Sequence, residues 1–182
     1  MKQCTILSIL SLAFAAPALA DDFKAESPDI KDGERIVEKH IFNGFGCTGP
    51  NVSPELSWSG APAGTKSFAV TAYDPDAPTG SGWWHWLVVN IPANVTKLPA
   101  GAGSKGGKLP KGALQTRTDF GTTGYGGPCP PPGHGEHHYK FIVYALKVPK
   151  IDVKAGAPAA MVGYNIIANE LARASIEAKY SR

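Results

Sequence analysis

Asp74-Pro75-Asp76-Ala77-Pro78 runs through Thr79-Gly80-Ser81-Gly82 into Trp83-Trp84-His85-Trp86-Leu87-Val88-Val89-Asn90, a proline-stiffened loop feeding a long apolar run. A second stretch repeats the plan: Gly127-Pro128-Cys129-Pro130-Pro131-Pro132-Gly133 leads to His137-His138-Tyr139 and an apolar run ending at Leu146. Proline fixes φ and lacks a backbone donor, so such loops hold their shape at low entropic cost. Each delivers histidine at or near the start of a strand, and the first adds two carboxylates. A rigid rim of Asp, His and Tyr above a β core suggests a preformed pocket for a small polar ligand.

Working outward, 21 glycines and 16 prolines break the 182-residue chain into short strands with many turns. Strands are expected at Arg35 to Phe42, Ser67 to Tyr73, Trp86 to Ile91 and Tyr139 to Lys147. The third and fourth are apolar on both faces and want cover on both sides, as in a sandwich interior. Ser67 to Tyr73 alternates, as a half-buried strand would. One helix is expected, from about Ala159 to Lys179, with Met161, Tyr164, Ile167, Leu171 and Ala174 as its packed face. Arg173 and Glu177 would pair on its outer side. The fold class is therefore mainly β with a helix docked late in the chain.

The N-terminus has a basic start at Lys2, a short apolar stretch from Ile6 to Phe14, and small residues at Ala18-Leu19-Ala20. This is the pattern of a cleaved secretory signal over residues 1–20, too short for a membrane anchor. Residues 21–182 would form one domain and act in the periplasm. Cys47 and Cys129 would remain, and an oxidising compartment favours joining them. Closing so long a loop stabilises a chain by about 4 kcal/mol on the chain-entropy argument.

A formal charge of +3 argues little for nucleic acid. From Asp76 to Asp119 there is no acid but five bases, Lys97, Lys105, Lys108, Lys111 and Arg117. They form either a solvated loop or a steering field for anions.

Asp74 and Asp76 suit acid–base or metal chemistry, and equally suit a turn, since Asp before Pro initiates one. His85, entering a buried strand, needs a partner for its ring nitrogens. His134, His137 and His138 invite a zinc reading. Proline and glycine preclude an HExxH helix there, however, and neighbours on a strand point to opposite faces. No GxSxG marks a hydrolase, and no cofactor is indicated.

Asp74-Pro-Asp-Ala-Pro, the Trp84-to-Asn90 strand, Pro130-Pro131-Pro132-Gly133 and His137-His138-Tyr139 together resemble the phosphatidylethanolamine-binding protein family, also called Raf kinase inhibitor proteins. Cys47 and the Asn51-to-Trp58 entry resemble its bacterial YbhB/YbcL-type branch. The resemblance implies two packed antiparallel sheets, a C-terminal helix and a small anion pocket accepting phosphate or a phospholipid head group. Asp74, Asp76, His85, Pro130, His137 and Tyr139 would line it, and Ala77–Pro78 would be a cis peptide bond. An Asp74 or Asp76 carboxylate would bond His85 or His137 and favour the imidazolium, while free amides of the proline loop add donors. His138 stands where many eukaryotic members have arginine, and Thr79 to Gly82 lacks an aromatic that some relatives place at the mouth. Inhibition of a partner enzyme, or action on a host cell, through the rim is the second implied function. A metal-dependent hydrolase is the third. A homodimer is one option for assembly.

Overall fold

In chain order the computed structural model, which describes residues 22–182, contains β1 (Lys24–Glu26), β2 (Asn43–Gly44), β3 (Cys47–Thr48), β4 (Leu56–Ser59), β5 (Ser67–Asp74), β6 (Trp83–Pro92), β7 (Lys97–Leu98), β8 (Leu114–Gln115), β9 (His137–Leu146), α1 (Ala159–Ala168) and β10 (Glu170–Tyr180). An antiparallel sheet of order β10-β9-β5-β6-β8 faces a smaller one of order β1-β4-β7, and β2 and β3 form a hairpin. The signal-peptide expectation falls on residues outside those described.

The two sheets clasp the main core. Leu56, Trp58 and Leu98 of the small sheet meet Phe68, Val70, Ala72, Trp86, Val88, Phe141 and Val143 of the large one. The opposite face of the large sheet carries Ala69, Leu87, Val89, Tyr144 and Leu146 under Val162 and Ile166 of α1. Both faces of β5, β6 and β9 are covered, so their apolar runs need no polar face. β5 was expected to be half-buried, yet seven of its eight residues are buried. Its small and hydroxyl side chains, Ser67, Ala69 and Thr71, lie buried on the second face.

Two elements differ from the sequence expectation. The helix ends at Ala168, and residues Glu170–Tyr180 form β10, paired along β9 from Glu170↔Leu146 to Tyr180↔His137. The expected stripe points outward: Met161, Tyr164, Ile167 and Leu171 are exposed, while Ala159, Val162, Gly163 and Ile166 pack inward. From Ala174 to Tyr180 burial alternates, the signature of a strand with one covered face. Alanine and Ile suit either period, and the free edge of β9 decided the matter by offering a continuous ladder. Arg173 bonds Glu170, with Nε at 2.7 Å, in place of the expected Glu177.

The Arg35 to Phe42 segment is the second difference. It forms a single bridge at Arg35 and a 3-10 turn, Glu38–His40, although Ile36, His40 and Ile41 are buried. Its backbone is tied instead to the rim of the site, through Phe42 N–H to Pro128 O at 3.1 Å.

Candidate functional site

The two proline loops meet at one end of the sheet sandwich. Cys47 and Cys129 are joined there in a disulfide that ties the second loop to the β2–β3 hairpin. Gly127 permits a close approach: a Cβ there would collide with the carbonyl of His40 and come within 2.7 Å of Phe42 N. Asn51, at φ 56°, reaches across with both ends of its amide. Its Nδ2 donates to Tyr125 O at 3.1 Å, and its Oδ1 accepts Gly127 N–H at 2.7 Å. Arg182 straps the same two loops, with Nη2 donating to Phe45 O at 3.0 Å and Nε donating to Pro130 O.

The first loop is shaped by an Asx turn. Asp74 Oδ1 accepts Asp76 N–H at 2.8 Å, and Thr79 N–H closes on Ala77 O at 2.7 Å. These bonds shape the rim without the cis bond expected at Ala77–Pro78; the described residues contain no cis peptide. The turn leaves Asp74 Oδ2 pointing inward.

His85 reaches the site through an irregularity. Ala72 pairs with Trp86 and Tyr73 with Trp84, so His85 is the extra residue of a β-bulge. Strict alternation would set it on the helix-covered face with Leu87 and Val89. The bulge turns His85 toward the sandwich face and sends Trp84 under Gly163 of α1. On β9, regular alternation puts His137 and Tyr139 on the face of Phe141 and Val143, and His138 on the other.

Asp74, His85, Pro130, His137 and Tyr139 line one cavity of about 200 Å³, together with Pro131, Phe45, Trp83 and Phe120. Asp76 does not line it. Its Oδ2 accepts the amide and Nδ1–H of His138, at 2.8 and 2.7 Å, on the solvent side. Burial pushes that carboxyl up, but the His138 hydrogen bonds outweigh it and hold it below the usual range.

His137 Nδ1 donates to Asp74 Oδ2 at 2.7 Å, both groups being buried. His85 has no carboxylate partner; its Nδ1 donates to Gly126 O at 2.7 Å. Burial pulls this imidazole below its ordinary value despite Gly126, Asp74 and Gly127. The expected imidazolium is therefore reversed at His85: the ring is neutral and Nε2 is an acceptor. Burial pushes the Tyr139 phenol up, so it keeps its proton. The Tyr139 hydroxyl is buried and has no hydrogen-bond partner. The proline loop offers fewer donors than expected: Pro128, Pro130, Pro131 and Pro132 have no N–H, and Gly133 N–H bonds Arg182 O at 3.0 Å.

The aromatic mouth escaped the sequence reading. Phe120 stacks on Phe42 with centroids 4.4 Å apart, lies near Phe45 at 5.9 Å, and meets Trp83 and His85 edge-on at 5.5 and 5.3 Å. Phe45 lies two residues before the disulfide-forming Cys47 and Phe120 seven before Gly127 of the second proline loop, yet no motif marks either as part of the cavity. They supply the aromatic wall that Thr79 to Gly82 lacks.

Residues 26–181 match the phosphatidylethanolamine-binding protein family. The chain belongs to that family. It is 56% identical to the UPF0098 protein YbcL of Escherichia coli over 182 residues, 99% of this chain and 98% of the relative. It is likewise 56% identical to the Escherichia coli UPF0098 protein YbhB over 158 residues, 87% of this chain and 99% of the relative. The crystal structure of Escherichia coli YbcL, described as a new member of the mammalian PEBP family, superposes with a TM-score of 0.87 at 57% identity. That superposition covers 89% of this chain and 99% of that one. A phosphatidylethanolamine-binding protein homologue from Chlamydia trachomatis gives a TM-score of 0.73 at 29% identity, over 88% of this chain and 97% of that one. Phosphatidylethanolamine-binding proteins are a ligand-binding family, and no helix among the described residues is long and apolar enough to cross a membrane.

Proposed function

We propose that this family member is a periplasmic binding protein that takes a small anion or a phosphorylated group, such as a phospholipid head group, into the Asp74/His85/His137/Tyr139 cavity. The observation that carries the reading is the convergence of Asp74, His85, His137 and Tyr139 on one cavity, Tyr139 bearing a buried hydroxyl with no protein partner. Leaving such a group unpaired costs about 1–3 kcal/mol, which a ligand oxygen would recover. A volume of about 200 Å³ falls below the roughly 300 Å³ at which drug-sized sites begin, and suits one compact group with its substituent outside. The N-terminal export pattern and the disulfide support an oxidising, extracytoplasmic setting.

The charge balance selects the form of the ligand. Asp74 repels a bare dianion, and neutral His85 offers an acceptor at Nε2. A monoanion that brings its own proton satisfies both constraints: its P–OH donates to His85 Nε2 while another oxygen accepts from Tyr139. Affinity should therefore fall as pH rises through the second ionisation of a phosphate monoester, at about 6. Calorimetry with inorganic phosphate and phosphoethanolamine across this range tests it. Binding that strengthens with pH, or no binding throughout, would refute the reading.

The exposure of Phe45, at 67%, favours a second reading in which the rim inhibits or modulates a partner protein. Exposed aromatic side chains are common anchors in such contacts. Pull-down from periplasmic extract, lost on Phe45→Ser and kept by Tyr139→Phe, would favour it over ligand carriage.

A further inference from the structure

The hydrogen bonds at His137 continue beyond Asp74. Because both Asp74 oxygens accept, His137 carries a hydrogen on Nδ1. Its other nitrogen, Nε2, lies 2.8 Å from Nδ1 of His134. A bond between two imidazole nitrogens holds one hydrogen, so with His137 neutral its Nε2 accepts and His134 Nδ1 donates. Both nitrogens of His137 are thus engaged by the protein, and His134 itself is not part of the cavity wall. His134 is exposed and sits between Gly133 and Gly135, at φ 73° and 99°, each with nothing within 4 Å of its Cβ position. Glycines in open space on both sides let the intervening backbone turn without steric cost.

We propose that His134 is a positioning residue that competes with the ligand for Nε2 of His137, a glycine-hinged gate on the anion cavity. This rests on the anion reading above. On entry the ligand's P–OH donates to His137 or His85, and His134 turns its ring to solvent when His137 Nε2 is the acceptor used. The number of protons is unchanged; one donor replaces another. The charged and titratable groups around the gate are Asp74, the Asp76–His138 pair, Glu136 with Lys179 of β10, the Arg182 guanidinium beside Pro130, and His85 and Tyr139 in the cavity. None of these bonds His134, so its contact with His137 is the one that sets the gate.

The test is phosphate titration of the wild-type chain and His134→Ala by calorimetry at about pH 8, where free imidazoles are neutral. Histidine-ring ¹H–¹⁵N spectra of both proteins accompany it. The spectra should show a hydrogen bond at His137 Nε2 that the variant loses. Phosphate should bind the variant about fivefold tighter, the worth of one hydrogen bond. Wild-type binding with equal or weaker binding by a folded variant overturns the gate and leaves the anion reading intact. Binding by the variant alone supports a gate that is closed in the wild type. Binding by neither, at this pH and again at about pH 6 where the proton-bearing anion is favoured, overturns both, since an opened cavity must admit the ion.

Discussion

Tyr139 separates binding from stability more cleanly than any other residue of the site. Its hydroxyl makes no protein hydrogen bond, so Tyr139→Phe removes no folded-state partner. Deleting a buried, unpaired donor is neutral or mildly stabilising. We expect an unchanged or slightly raised Tm and a loss of about fivefold to tenfold in phosphate affinity, read by thermal melts and calorimetry. Asn51 should behave in the opposite way. Asn51→Ala leaves Gly127 N–H and Tyr125 O without partners and should destabilise the chain by about 1–3 kcal/mol, measured by urea titration. Of the six residues singled out as ligand-binding, five line one cavity, and Asp76 turns away to His138. Residue types and order pointed to the region. Which carboxylate oxygen faces inward depends on an Asx turn, which a string of residues does not express.

At the scale of elements, the late helix and β10 carry the clearest contrast. Ile166 is buried against the large sheet, whereas its neighbour Ile167 is exposed. Ile166→Ala should cost about 2–5 kcal/mol, and Ile167→Ala should stay within about 0.5 kcal/mol. Denaturant midpoints for the two variants check the helix orientation directly; equal costs would contradict it. The periodic stripe through Met161, Tyr164 and Ile167 was visible in the sequence, but its direction was not. Burial depends on which side of the helix the sheet occupies. Likewise His85 is easily read as the head of a strand, while its direction follows from the bulge between the Trp84 and Trp86 pairings.

For the whole molecule, proton linkage has a definite sign. Burial is the leading influence on His40 and His85, and both imidazoles lie below their ordinary value of 6.5. As pH falls through that value the unfolded chain takes up protons that the folded chain refuses, so stability declines. At lower pH Asp29 and Asp76 add to the loss. Burial raises both, but hydrogen bonds from Glu55 and Lys39 at one, and His138 at the other, keep them below the ordinary 3.8. Their stabilisation disappears as pH drops through their folded-state values. Tm should therefore decline from pH 8 to 5 and again below about 4. A Tm that rises on acidification over the first interval would contradict the buried, neutral histidines. Opening the 82-residue span between Cys47 and Cys129 with the double serine variant should lower stability by about 4 kcal/mol on the chain-entropy argument, seen by calorimetry.

Taken alone, the sequence determined the family, through the resemblance its paired motifs carry, and the mainly β class, through its proline-broken, doubly apolar strands. It also placed the three long central strands, the pair of cysteines that join, and the two proline loops that converge on one site. These are properties of local stiffness and composition, written residue by residue. Only the tertiary structure decided that the last eleven-residue element is a strand, that Met161, Tyr164 and Ile167 face outward, and that Phe45 and Phe120 wall the cavity. It alone turned His85 inward and set His134 against His137. Apart from the His134–His137 contact, which a local turn makes, each of those outcomes depends on which surface lies opposite a residue, and that surface is assembled in three dimensions.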